Sequence, residues 1–152
     1  MKRIIIFLVS VLVASGINAQ VKVVNKNKLH KKIINYVETN YSESPINCYC
    51  VEYTDYNFKK INNYKVVFEN GTIIEFYKNG NLKSIDCSAK DAIDFYITPI
   101  EISEFIADKF PHCFIMEYKV NCKGNRIKNY EVELTDDIYI KFDKNFKCIK
   151  VE

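Results

Sequence analysis

Apolar residues recur in two alternating rhythms along this chain. Leu29, Ile33, Tyr36 and Val37 fall three or four residues apart, with Lys31, Lys32, Asn35 and Glu38 between them, which predicts an amphipathic helix over about 27–41. Four strand-like runs follow, at roughly 46–54, 61–69, 72–78 and 82–86. Asn70-Gly71 and Asn79-Gly80 separate the last three. Asn-Gly favours the type I′ hairpin turn, whose two central residues both take positive φ, so the runs are expected to form an antiparallel meander.

Past Cys87 the same order returns. Ile102, Phe105, Ile106 and Phe110 share one helical face, and Pro99 stands near the helix start, where its missing N–H costs nothing. Four more runs follow, at about 113–121, 126–134, 138–143 and 146–151. Ile33, Tyr36, Val37 and Tyr41 superpose on Ile102, Phe105, Ile106 and Phe110, and Cys48 and Tyr53 on Cys113 and Tyr118. Asn63-Tyr64, Val66 and Phe68 match Asn129-Tyr130, Val132 and Leu134. The reading is an α+β chain built from a tandem duplicated helix-plus-four-stranded antiparallel unit, with repeats at 20–87 and 88–152.

Strand parity assigns the faces. Tyr64, Val66, Phe68, Ile74 and Phe76 alternate with Lys65, Glu69 and Glu75; Tyr130, Val132, Leu134, Ile138, Ile140 and Phe142 alternate with Glu131, Glu133 and Lys141. One face therefore packs on the helices and the other stays open. Tyr77, Tyr139, Val67 and Ile73 fall on the open face among the charges, and these four are the candidate contact residues. Ordinary cross-strand packing of exposed side chains is the competing reading for each of them.

The segment before Gln20 has a different character. Met1-Lys2-Arg3 is a short positive start, residues 4–14 are almost wholly apolar, and Ile17-Asn18-Ala19 resembles a small-residue cleavage site, so residues 1–19 read as a signal peptide. A periplasmic or secreted protein is expected, with no membrane insertion after cleavage. The formal charge of +3 then falls to +1, because Lys2 and Arg3 leave with the leader. That removes electrostatic support for nucleic-acid binding. The whole chain has 152 residues, 48% hydrophobic and 14% aromatic, which is ample for a folded core and unlike a disordered sequence.

The ordered pattern resembles the PepSY-like family of exported Bacteroidetes proteins, whose fold is similar to each half of the β-lactamase inhibitory protein. The residues that carry the resemblance are the leader, Phe68 to Asn79 (FENGTIIEFYKN), Asp86-Cys87, Ile102 to Pro111 (ISEFIADKFP), Asn129 to Leu134 (NYEVEL) and Ile140 to Asn145 (IKFDKN). The second half departs from the pattern at Asp136-Asp137, which replace the hairpin Asn-Gly, and the first helix ends on Tyr41-Ser42 where the second has Phe110-Pro111. The resemblance implies a periplasmic or surface protein of unknown molecular role and supplies no catalytic residues; the likeness to the inhibitor is structural. Fold alone does not decide function.

The chemistry-bearing residues give no reaction. Six cysteines in an exported chain allow fifteen pairings, so disulfides and buried free thiols both stay open. Cys48-Tyr49-Cys50 could form a redox pair, but a strand supplies neither the helix N-terminus nor the cation that lowers a thiol pKa. His112 and Cys113 are adjacent, so on a strand they face opposite ways and do not share one metal. His30 lies among lysines, and Glu131 and Glu133 are explained by strand alternation. No Gly-x-Ser-x-Gly elbow or phosphate loop occurs. The expectation is a non-enzymatic binding or inhibitor-like module without metal or cofactor, contacting a protein or peptide of the cell envelope through the open sheet face. The alternatives are a structural envelope protein without a discrete ligand and a thiol redox protein.

Overall fold

Hairpin chemistry sets the strand order. In the computed structural model, which describes residues 20–55, 57–87 and 91–152, nine antiparallel strands lie in one sheet in the order of the chain. They are β1 (Gln20–Val24), β2 (Ile46–Tyr53), β3 (Ile61–Phe68), β4 (Ile73–Tyr77), β5 (Leu82–Asp86), β6 (Ile115–Lys123), β7 (Arg126–Leu134), β8 (Tyr139–Asp143) and β9 (Cys148–Val151). Two helices, α1 (Lys31–Asn40) and α2 (Ile100–Lys109), precede β2 and β6. The signal peptide expected at residues 1–19 lies outside the described residues.

The hairpins form where the Asn-Gly pairs stand, but the turns are not type I′. Gly71 and Gly80 take φ of 93° and 78°, while Asn70 and Asn79 stay at negative φ. The reason is local: each asparagine side chain accepts the N–H two residues on, Thr72 at 3.0 Å and Asn81 at 3.1 Å, which holds the asparagine on the ordinary side of φ. Gly71 N–H returns to Phe68 O at 3.1 Å and Phe68 N–H to Thr72 O at 2.9 Å, the pattern of a three-residue loop closed by a left-handed residue. In the last hairpin the left-handed place of Gly80 is taken by Phe146 (φ 64°), whose ring packs 5.0 Å from Tyr130.

Both helices pack on the same sheet face. Ile33 and Val37 of α1 and Ile102 and Ile106 of α2 are buried against Val66, Phe68, Ile74 and Phe76 and against Val132, Leu134, Ile140 and Phe142. The packing recurs in detail. Tyr36 meets Phe76 edge-on at 5.5 Å, and Phe105 meets Phe142 edge-on at 5.3 Å. Each helix ends on an aromatic residue that donates its N–H four residues back at 2.8 Å, Tyr41 to Val37 and Phe110 to Ile106. At the start of α1, Nδ1 of His30 accepts the Lys32 N–H at 3.2 Å, so His30 caps the helix.

The two strand sets are joined edge to edge. β5 pairs with β6 over Ser84–Lys119, Ile85–Tyr118 and Asp86–Glu117, which makes one continuous sheet of what the sequence suggests as two. β1 is an addition to the expected elements and pairs with β2 from Gln20–Tyr53 to Val24–Tyr49. Among the described residues no helix is long and apolar enough to cross a membrane.

Candidate functional site

The sheet face away from the helices is organised in rows, because antiparallel register sets side chains directly opposite one another across every strand pair. One row runs through all nine strands: Val23, Cys50, Lys65, Glu75, Ser84, Lys119, Glu131, Lys141 and Lys150. Two ion pairs, Lys65–Glu75 and Lys141–Glu131, lie along the row, and Lys83 beside it joins the first. Lys65 and Lys83 reach the two carboxylate oxygens of Glu75 at 2.6 and 2.8 Å, and Lys141 reaches Glu131 at 2.8 Å. Burial alone would raise the Glu75 carboxyl, but the hydrogen bonds and charges of Lys65 and Lys83 outweigh it and hold the group below its ordinary value.

The neighbouring row reads Cys48, Val67, Ile73, Asp86, Glu117, Glu133 and Tyr139. It has an apolar end and an acidic middle. Desolvation first, then the Glu117 charge opposite, pushes the Asp86 carboxyl up. A groove of about 670 Å³ opens over the apolar end, lined by Val21, Cys50, Val67 and Ile73 and flanked by Lys65, Glu75, Asp86 and Glu117. That volume is in the range that holds one or a few side chains of a partner or a small ligand.

Of the four candidate contact residues, Val67 and Ile73 are direct cross-strand partners and both line this groove. Tyr139 lies in the same row but four strands from Ile73, about 19 Å at the usual strand spacing, with Asp86, Glu117 and Glu133 between. Its hydroxyl is raised by burial and by its hydrogen bond to Glu131. Tyr77 stands on the strand of Ile73 but at the far end, and its hydroxyl donates to Val120 O at 2.7 Å. The structure therefore groups two of the four and sets the two tyrosines apart.

Sequence reasoning missed Val21, because β1 was not expected, and Cys50, which was weighed only as a thiol and not as a lining residue. It also missed the row of Asp86, Glu117 and Glu133. Glu117 and Glu133 meet across the β6–β7 pair, but Asp86 joins them only through the β5–β6 register, and no hairpin signal fixes that register.

The cysteines are all free thiols. Cys48 and Cys50 point the same way from β2 with their sulfurs 3.8 Å apart. Burial, then the neighbouring Cys48, pushes the Cys50 thiol up to about 12, the reverse of what a nucleophilic redox thiol requires. Among the described residues, no group of three or more histidine, cysteine, aspartate or glutamate side chains is arranged to hold a metal ion.

Three solved structures with this fold come from Bacteroides. A "putative calcium-regulated periplasmic protein" of Bacteroides thetaiotaomicron superposes with a TM-score of 0.75 at 23% identity, over 87% of this chain and 96% of its own. A "putative periplasmic protein" of Bacteroides vulgatus gives 0.74 at 26% identity, over 88% and 97%. A second protein of that organism, of unknown function, gives 0.73 at 21%, over 88% and 98%. No curated protein matches the chain. The model of the family described as "Putative beta-lactamase-inhibitor-like, PepSY-like" matches residues 62–150, more than half of the chain and most of the sheet that carries the groove. The chain belongs to this PepSY-like family.

Proposed function

We propose that the chain is an exported, non-enzymatic binding module that holds a protein or peptide of the cell envelope against the open face of its sheet. The observation that carries this reading is the groove over Val67 and Ile73, on the face that neither helix covers. Apolar floor with a charged rim is the usual anatomy of a contact surface, where the buried centre supplies affinity and the rim supplies register. Val67 and Ile73 form the floor. Tyr139 extends the surface across the carboxylate row, and Tyr77 fixes the shape of its far edge.

Export to the periplasm is supported by the leader-like residues 1–19 and by the periplasmic description of the Bacteroides vulgatus neighbour. Duplication of a helix-plus-four-strand unit, with halves at 20–87 and 88–152, is supported by the matching ring contacts and helix ends of the two halves. Calcium regulation is not carried over from the Bacteroides thetaiotaomicron neighbour. A calcium ion takes six to eight oxygen ligands, and the described residues offer no converging group of three or more metal-binding side chains.

The test is saturable capture of an envelope component by the immobilised protein. Val67→Glu and Ile73→Glu each place a charge in the groove and should weaken capture by about tenfold or more, while Lys31→Glu and Asp108→Lys on the helical face leave it unchanged. Equal loss from both faces, or no saturable capture at all, overturns the proposal.

A further inference from the structure

We infer that Cys48 and Cys50 form a two-coordinate site for a soft monovalent metal ion, Cu(I) by chemistry, with Cys50 in the wall of the open-face groove. The two side chains leave the same face of one strand, and their sulfurs already touch at 3.8 Å. With metal–sulfur bonds near the roughly 2.3 Å of thiolate zinc, one ion reaches both sulfurs at this separation with a bent S–metal–S angle of about 110°. Straightening it needs the sulfurs to part by less than about 1 Å, a movement that rotation about the Cα–Cβ bonds supplies.

The number of donors selects the metal. Zinc, calcium and magnesium need four or more ligands, and among the described residues no third histidine, cysteine, aspartate or glutamate joins this pair. Soft thiolates with few partners suit Cu(I). Each thiol gives up its proton to water as its Cu–S bond forms, and no electron moves. The product carries one net negative charge. Lys65 stands directly across from Cys50 in the ladder and lines the same groove, so its ammonium, which also pairs with Glu75 at 2.6 Å, lies on the side of that charge. The groove provides the entry path, because Cys50, although nearly buried, is part of its lining.

This site does not depend on the binding-module reading and stands without a protein partner. The other cysteines lie on separate elements: Cys87 after β5, Cys113 before β6, Cys122 on β6 and Cys148 on β9. The experiment uses the folded protein with Cys87, Cys113, Cys122 and Cys148 changed to Ser, fully reduced, titrated anaerobically with Cu(I) against a chromophoric Cu(I) chelator. One equivalent should bind. Cys48→Ser in that background should lower affinity by more than the roughly 10–100-fold that loss of an outer partner costs at a metal site. Cys48 is partly exposed, so its serine variant keeps the fold, which circular dichroism checks. If the four-serine background does not fold, the same comparison is made in the native sequence, where Cys48→Ser should remove one tight equivalent and Cys122→Ser none. No uptake by a fully reduced folded protein, or affinity unmoved by Cys48→Ser, overturns the inference.

Discussion

The phenol oxygen of Tyr77 donates to the carbonyl of Val120 at 2.7 Å and accepts the Cys122 N–H at 3.2 Å. Both groups belong to the stretch of β6 beyond its three pairs with β5, so a side chain from β4 stands where a neighbouring strand would be. A phenol in that role is structural. Tyr77→Phe keeps the ring and leaves two backbone groups without that partner, and is expected to cost about 1–3 kcal/mol in urea unfolding. Weakened capture of a partner by this variant without loss of stability would assign Tyr77 to the contact surface.

Phe76 and Phe142 occupy corresponding places under the two helices, and both are wholly buried. Each also receives a ring edge-on, from Tyr36 and Phe105. Truncation of either to Ala should cost on the order of 3–5 kcal/mol, read from the midpoint of chemical denaturation. A clearly smaller cost at Phe142 than at Phe76 would show that the second helix closes over the cavity.

Glu75 supplies a pH signature. Its folded pKa is lowered by Lys65 and Lys83, so it contributes stability that is complete above the unfolded value, about 4.3, and is lost as pH falls through the folded value. Glu75→Gln should be less stable than the parent near neutrality, by on the order of 1 kcal/mol for so nearly covered a pair. The difference should narrow below about pH 4. An unchanged difference from neutral to acid pH would remove the ion pairs from the account.

At the second hairpin, Gly80 has φ of 78°, and a Cβ there would sit 2.6 Å from Nδ1 of His30. Gly80→Ala should cost at least roughly 1–2 kcal/mol from the backbone alone. It should also displace the His30 cap, seen as lost amide protection at Lys32 in hydrogen exchange. Gly124 has open space around it, so its alanine variant should show only the backbone part.

How far the sequence could be read depended on whether a feature is local. Ile33 and Val37, or Ile102 and Ile106, announce a helix face by spacing alone, and the Asn-Gly pairs announce hairpins. The turn type was not legible, because it rests on where the Asn70 and Asn79 side chains bond. β1 was hidden, since Val21, Val23 and Val24 run directly on from the apolar leader. Parity placed Val67 and Ile73 on the open face, and their pairing followed from the hairpin between them. The carboxylate row and the reach of Tyr77 depend on how β5 meets β6 across the long connection between the halves, and nothing in the local pattern records that meeting.

Strand order identical to chain order has a kinetic consequence. Each strand pairs with the segment that precedes it, and the widest step between paired strands runs from Asp86 to Glu117. Loop closure is therefore inexpensive at every step, and contact order is low for so large a sheet. A chain delivered from one end could zip its hairpins in the order they arrive, without waiting for a distant partner. The three-pair seam between β5 and β6 closes the longest loop and so is the natural last event, the step at which the strands on either side of it become one surface.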